Sequence, residues 1–243
     1  MKNALPQLHS LVTPLLLIAA VALVTFIGVL GGDQVQTSLT EMLIRMVVVV
    51  GMWVFIGNSG VISFGHVGFM CIGAYAAAWA TVDPSWKSIM LTGLPDFLQN
   101  GQYPIPVAIA GGAVLAAVVA LVLGAAIMRL SGIAASIATF AFLMIVNSVY
   151  SNWDSVTAGT SSIIGIPTIV GPWMAFGFAA AAILVAHVFG VSRIGLMLRA
   201  TRDDEVAAKA SAVNTLRVRL IAFVLSAAIV APAVHYGGIS SAC

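Results

Sequence analysis

Apolar residues in this chain run in long unbroken stretches, and polar residues collect in the gaps between them. The first stretch, Leu11–Leu30, is 20 residues long. At about 1.5 Å rise per residue it matches a hydrocarbon core of about 30 Å. A cleaved signal has a shorter apolar region of about 7–15 residues, so the stretch reads as a retained span, with Pro14 tolerable near its start. Six more runs follow, separated by charge, Pro or Trp: Met42–Gly57, His66–Val82, Ile105–Met128, Ile133–Tyr150, Thr168–Gly190 and Leu220–Tyr236. Lipid offers no partner for backbone N–H and C=O groups, so such runs predict helices. The expected fold class is all-α, a polytopic transmembrane bundle of about seven membrane segments. No separate soluble domain and no internal repeat is readable.

Composition agrees. Of the 243 residues, 61% are hydrophobic and 7% charged, with a mean hydropathy of +1.10; soluble domains carry about 25% charged residues. An ordinary soluble enzyme, a disordered segment and a nucleic-acid binder are excluded. The net charge of +2 is too small to argue for an anionic partner. No GxxxxGK[ST] loop is present, so any ATP hydrolysis belongs to a partner chain. No HExxH or CxxC spacing suggests a metal site, and no cofactor is implied. The runs Leu11–Leu30, Ile105–Met128, Ile133–Tyr150, Thr168–Gly190 and Leu220–Tyr236 contain no Asp or Glu. That disfavours proton or sodium coupling, and it removes paired carboxylates as an acid and base. The chain does not read as an enzyme.

Basic residues set the expected topology. Six of the ten (Arg193, Arg199, Arg202, Lys209, Arg217, Arg219) lie in the polar stretch 192–219, which the positive-inside rule places in the cytoplasm. Counting back puts Arg129 on a short inner turn and Lys2 on an inner N-terminus. The loops Thr81–Pro104 and Ser151–Pro167 fall outside, flanked by Trp79, Trp86, Tyr103, Tyr150 and Trp153 as an interfacial belt. Glu41 and Arg45, at i and i+4, form a helical pair at the outer start of the second segment.

Two stretches depart from plain spans. Gly57 to Phe69 reads GNSGVISFGHVGF. Its glycines and small polar residues suit either a broken helix beside a transport route or a short inner turn with glycines for close packing. His66 stands in the same balance, being either functional at membrane depth or within reach of water; His187 reads as interfacial. The second stretch, Ser192–Arg219, carries Arg202-Asp203-Asp204-Glu205 in its middle. Ile194, Met197 and Leu198 make one apolar stripe, and Val206, Ala207 and Ala210 a smaller one. A short amphipathic helix over Gly195–Ala212 fits, lying on the membrane or in a partner's groove; a solvated topology-setting loop also fits.

These residues resemble a known family: the inner-membrane permeases of ATP-binding-cassette importers for branched-chain amino acids. Three motifs carry the likeness. Ser59-Gly60-Val61-Ile62-Ser63-Phe64-Gly65-His66-Val67-Gly68-Phe69 through Ile72-Gly73-Ala74-Tyr75 is similar to the family's SG..SLGHAAFFGIGAY. Arg129-Leu130-Ser131-Gly132, Ala138-Thr139-Phe140-Ala141-Phe142, Asn152-Trp153 and Thr157-Ala158-Gly159-Thr160 resemble its second motif. Ser192-Arg193-Ile194-Gly195, Leu198-Arg199-Ala200, Asp203-Asp204-Glu205-Val206-Ala207-Ala208 and Asn214 look like SRIGRALRAIREDEIAAEAMGIN, continued by Ala222 to Ala227.

The resemblance implies a cytoplasmic coupling helix over Arg199–Asn214 within the loop 192–219. Arg199, Arg202, Asp203, Asp204, Glu205, Ala207, Ala208 and Asn214 are the expected contacts with an ATP-binding subunit. It also implies a substrate path along Ser63, Phe64, Gly65, His66, Gly68 and Phe69, with Tyr75, Thr139 and Phe142. Implied partners are ATP-binding cassette subunits, a second permease, a periplasmic substrate-binding protein and the lipid bilayer. The implied location is the bacterial inner membrane. The sequence departs at Ser131, Ile133, Met144 and Ala212, the last in place of a common Gly. After Ala231 the family continues into further hydrophobic segments, whereas this chain reads on from Pro232 and stops at Cys243. The single permease domain, 1–243, is thus expected to be incomplete at its C-terminus, as by truncation or a frameshift. The implied cargo is a branched-chain amino acid or a related small polar or amide solute. Two readings from other classes stay open: an ion-coupled carrier or channel, and a non-transporting membrane scaffold.

Overall fold

The computed structural model describes residues 5–130, 132–157, 159 and 171–234. The chain is an all-α bundle: α1 (Leu5–Val29), α2 (Asp33–Ser59), α3 (Gly65–Thr81), α4 (Pro84–Met90), α5 (Asp96–Gln99), α6 (Ile105–Ile127), α7 (Ile133–Asn152), α8 (Asp154–Thr157), α9 (Pro172–Val191), α10 (Arg193–Asp203), α11 (Glu205–Ala210) and α12 (Thr215–Val230), followed by a 3₁₀ turn over Ala231–Val234. Each of the seven expected segments coincides with a helix. Among the described residues, five of these helices, α1, α2, α6, α7 and α9, are long and apolar enough to cross a membrane. The expected count of seven is not confirmed. The other two, α3 with 17 residues and α12 with 16, are shorter than a full crossing of about 20 residues. Residues 168–170 and 235–236 of the expected runs lie outside the described residues.

The two short helices form the centre. Thirteen of the 17 residues of α3 are buried, so protein rather than lipid surrounds it. It packs on α6, α7 and the 3₁₀ turn, while α12 packs on α6 and α2. Small residues permit this closeness. A Cβ added to Gly73 would lie 2.2 Å from the Ala231 carbonyl oxygen, and one on Gly51 2.7 Å from Val230 Cγ2. The outer helices carry the apolar surface instead. Leu16 and Leu23 on α1, Val122 on α6, and Ile133 and Ile137 on α7 are all exposed, as on a surface solvated by acyl chains.

α2 begins nine residues before the expected Met42 and takes in the Glu41–Arg45 pair, whose charged atoms lie 3.6 Å apart on an exposed face. At one end of the bundle, the segments after α3 and α7 fold over each other. Trp79 Nε1 donates to Val156 O at 2.8 Å and Gly93 N to Ser155 O at 2.9 Å. Lys87 is fully buried here, its Nζ donating to Leu98 O at 2.9 Å and Gly101 O at 2.6 Å. Burial pushes its ammonium below the usual lysine range, partly opposed by Asp83. α10 sits at the opposite end, against the end of α2, with α11 beside it on α12.

Replacing Gly73 by Val forces α3 off the 3₁₀ turn. Overpacking of this kind costs about 1–3 kcal/mol or more, so the variant is expected to melt measurably earlier in detergent.

Candidate functional site: the glycine break and the polar loop

α2 ends because Gly60 turns left-handed, at φ +69°, a conformation that glycine adopts without penalty. Its N–H donates to Ile56 O at 2.9 Å, closing the last turn. Residues 61–63 then run without regular structure before α3 starts at Gly65. Backbone groups exposed by the break are taken up by side chains. Val61 N donates to Ser59 Oγ at 3.2 Å and Phe64 N to Thr139 Oγ1 at 3.2 Å. The Thr139 hydroxyl in turn donates to Ser136 O at 2.8 Å.

α3 leaves the break with Gly65 and Gly68 facing α7. A Cβ on Gly65 would meet Phe142 Cδ1 at 3.2 Å, and one on Gly68 would meet Phe142 Cε1 at 3.1 Å. Phe69 stacks at 4.9 Å between ring centres on Phe142 and at 5.2 Å on Phe223. His66 is enclosed by the rings of Phe55 and Phe223 at 5.8 and 5.6 Å. Its Nδ1 lies 3.4 Å from Ser63 O, and its Nε2 shares a hydrogen bond with Ser226 Oγ. A carbonyl only accepts, so Nδ1 carries the proton and the Ser226 hydroxyl donates to Nε2. His66 is thus a satisfied core histidine, and the interfacial alternative is set aside by its complete burial.

Of the expected path residues, Gly65, Gly68, Phe69, Thr139 and Phe142 come together in the packed seam between α3 and α7, whereas His66 turns to α2 and α12 and Ser63 is buried in the break itself. Tyr75 lies further along α3, stacked on Tyr150 at 4.4 Å. Phe64 alone among them is exposed, at 49%, its ring edge-on to Phe140. Ser63 Oγ is buried with no hydrogen-bond partner among the described residues. Ser226, Phe223 and Phe55 belong to the same cluster and were not singled out from the sequence. Ser226 lay inside the third motif as quoted, but a hydroxyl in an apolar run gives no sign of which histidine it meets.

The polar loop is two helices rather than one. Asp204 sits extended between them at φ −154° and accepts from Val206 N and Ala207 N at 2.8 and 3.0 Å, starting α11 as its N-cap. Ser192 caps α10 through Gly195 N at 3.1 Å, and Asn214 caps α12 through Arg217 N at 3.1 Å. Ile194, Met197 and Leu198 pack into the core as the expected stripe. Ala208 is buried, whereas Val206, Ala207 and Ala210 face outward, Val206 at 78% exposure.

The charges divide by direction. Arg199 Nη2 donates to Gly190 O at 2.6 Å, and Arg202 Nη1 donates to Gly57 O at 2.8 Å. Both therefore reach the membrane helices. Asp203 is exposed and holds Arg202 at 3.2 Å. Glu205 bridges Lys209 at 2.9 Å and the buried Arg219 at 2.8 Å, tying α11 to α12. Hydrogen bonds from Lys209 and Arg219 hold the Glu205 carboxyl below the usual glutamate range. α11 closes with Val213 N bonded to Ala208 O and Ala212 N to Lys209 O, which places Ala212 at φ +62°. A glycine would normally occupy that position.

The arrangement joins two elements far apart in sequence, the turn between α2 and α3 and the two charged helices of the polar loop. A model of the family described as the branched-chain amino acid transport system permease component matches residues 34–233, a range that takes in both elements. Two curated proteins are similar to the chain, each named a high-affinity branched-chain amino acid transport system permease protein LivM. The one from Salmonella typhimurium is 26% identical over 226 residues, and the one from Escherichia coli strain K12 is 26% identical over 223. Each comparison covers 78% of this chain and 48% of the relative. The chain thus spans about half the length of the curated relatives it matches. No solved structure matches it. The expected break with the family beyond Ala231 falls mostly on residues 235–243, outside the described residues, as do Ser131, Ala158 and Thr160.

Two outcomes follow from the loop. A non-glycine residue held left-handed costs about 1–2 kcal/mol, and glycine's extra chain entropy offsets about 0.5–1 kcal/mol of the relief. Ala212→Gly is accordingly expected to raise the melting temperature in detergent. Glu205, with its value lowered on folding, stabilises fully above the ordinary glutamate range, and that stabilisation drains as pH falls through the lowered value. The stability difference between the native chain and Glu205→Gln should therefore stay constant from about pH 7 to about pH 5 and close below about pH 4.

Proposed function

The chain belongs to the family of branched-chain amino acid transport permease components, and on that premise we propose that it is the membrane-spanning subunit of an ATP-driven importer. It is a multi-pass membrane protein of a transport system; the energy source, the cargo and the partners are what the proposal adds. The observation that carries it is the outward face of α11. Val206, Ala207 and Ala210 stand in the open beside Asp203 and Lys209, on a helix anchored by Arg219 and capped by Asp204. A loop serving only to set topology needs neither a braced helix nor an exposed valine. A separate ATP-binding subunit with an apolar groove rimmed by charge suits that face.

Asp203, Val206, Ala207 and Ala210 are then the docking contacts. Asp204, Glu205, Ala208 and Asn214 hold the docking element in shape as cap, brace, buried contact and cap. Arg199 and Arg202 serve it from behind. The six basic residues of 192–219 support a cytoplasmic position for this end, with the N-terminus on the same side, and the bacterial source of the relatives supports an inner membrane. A periplasmic binding protein would deliver cargo to the opposite end, and a second permease would complete the pore. The name of the relatives supports a branched-chain amino acid as cargo, with a related small solute as the alternative. Ser63, Phe64, Gly65, His66, Gly68, Phe69, Tyr75, Thr139 and Phe142 border the route, which opens by parting α3 from α7 where glycines keep the seam smooth.

The test is retention of the ATP-binding subunit by the chain in detergent after co-expression with its partners. Val206→Asp alters one exposed side chain with no assigned structural partner and is expected to cut retention about tenfold or more, as loss of an interface hot spot does. Unchanged retention would count against docking at α11. Uptake of labelled leucine by cells lacking their own permease tests the cargo, and retention without uptake would point to another solute.

A further inference from the structure

Arg199 and Arg202 lie one turn apart on the same face of α10, and each reaches the end of a different membrane helix. Gly57 O is one of the last carbonyls of α2. Its natural helical donor, Val61 N–H, has turned to Ser59 Oγ, which leaves the carbonyl to Arg202 Nη1 at 2.8 Å. Gly190 O stands in the last turn of α9 and takes Arg199 Nη2 at 2.6 Å. Terminal carbonyls lack partners within their own helix and carry the negative end of its dipole, so a guanidinium meets both needs at once. The stem of Arg202 also rests on the residue where α2 stops: a Cβ on Gly60 would lie 2.6 Å from Arg202 Cγ. On the other side, Asp203 Oδ1 receives Arg202 Nε and Nη2 at 3.2 Å each.

We propose that Arg199 and Arg202 are positioning residues, a two-point guanidinium clamp through which movement of α10 and α11 is carried to the inner ends of α9 and α2, and from α2 to the Gly57–Phe69 break. The proposal rests on α11 being the docking element and assigns these arginines a different task from the docking side chains. Arg202 provides the direct link to the break. Arg199 keeps α10 from pivoting about it.

The test uses the complete assembly reconstituted in proteoliposomes, with Arg202→Ala, Arg202→Lys and Arg199→Ala. Retention of the ATP-binding subunit and its ATP hydrolysis should persist in Arg202→Ala, while solute taken up per ATP should fall about tenfold, the scale of one lost coupling contact. Lysine keeps the charge and loses the fork, so Arg202→Lys should fall less. Retention lost in proportion to uptake would overturn the clamp in favour of direct docking, and an unchanged ratio of uptake to ATP would overturn it outright. Hydrogen exchange on the chain alone gives a second reading. Amides 60–64 should exchange faster in Arg202→Ala, with those of α7 unchanged; equal rates at 60–64 would also overturn the clamp. Should Arg202→Ala fail to insert, Arg202→Lys decides by the same two readouts. A native chain that retains no ATP-binding subunit would sink the importer reading, while the exchange experiment still judges the clamp.

Discussion

Where a helix stops among packed neighbours, the backbone N–H and C=O groups it frees have to find partners elsewhere. α2 and α3 are separated by such a stop. Gly60 bends the chain, and the freed groups are taken up from three directions: Ser59 from the break itself, Thr139 from α7 and Arg202 from α10. The break therefore holds its shape only while α7 and α10 are in place. Two elements distant in sequence become part of one local structure. The interior position of α3, the seam between Gly65, Gly68 and Phe142, and the placement of the polar loop all follow from this requirement.

The same economy explains why the centre of the bundle is made of its shortest helices. A helix surrounded by protein need not match the thickness of the hydrocarbon, and one rich in glycine and alanine is free to approach its neighbours closely. Gly73 lies against the Ala231 carbonyl and Gly51 against Val230, so dispersion contacts replace the hydrophobic effect, which lipid does not supply between helices. The aromatic group of Phe55, Phe69, Phe142 and Phe223 fills the space beside the break, and His66 sits within it bonded at both nitrogens.

The polar loop works by opposition of directions. Arg199, Arg202, Arg219 and Glu205 turn toward the bundle, and Val206, Ala207, Ala210 and Asp203 turn away. A charge cluster such as Arg202-Asp203-Asp204-Glu205 looks uniform on paper, yet in the fold its four members perform four tasks: carbonyl cap, counter-ion, helix N-cap and interhelical brace. Reversing the whole cluster would damage the loop's own structure, and for that reason the exposed Val206 separates docking from folding more cleanly.

What the sequence by itself determined is the class of molecule and the location of its two unusual parts. Uncharged runs of membrane length dictate helices because lipid leaves no alternative, and glycines amid small polar residues mark the break because only there does a span lose its apolar continuity. The amphipathic stripe Ile194, Met197 and Leu198 was legible for the same reason, since spacing of 3 and 4 puts side chains on one face of a helix. Tertiary structure decided the pairings: that Ser226 meets His66, that Arg202 meets Gly57, that Glu205 meets Arg219, that Lys87 is buried against two carbonyls, and that one expected amphipathic helix is two. Each depends on a partner between 11 and 160 residues away or on a single side chain competing for a backbone N–H. Hydrophobic periodicity records which face of an element is wet, and it carries no information about which distant atom will satisfy a given donor.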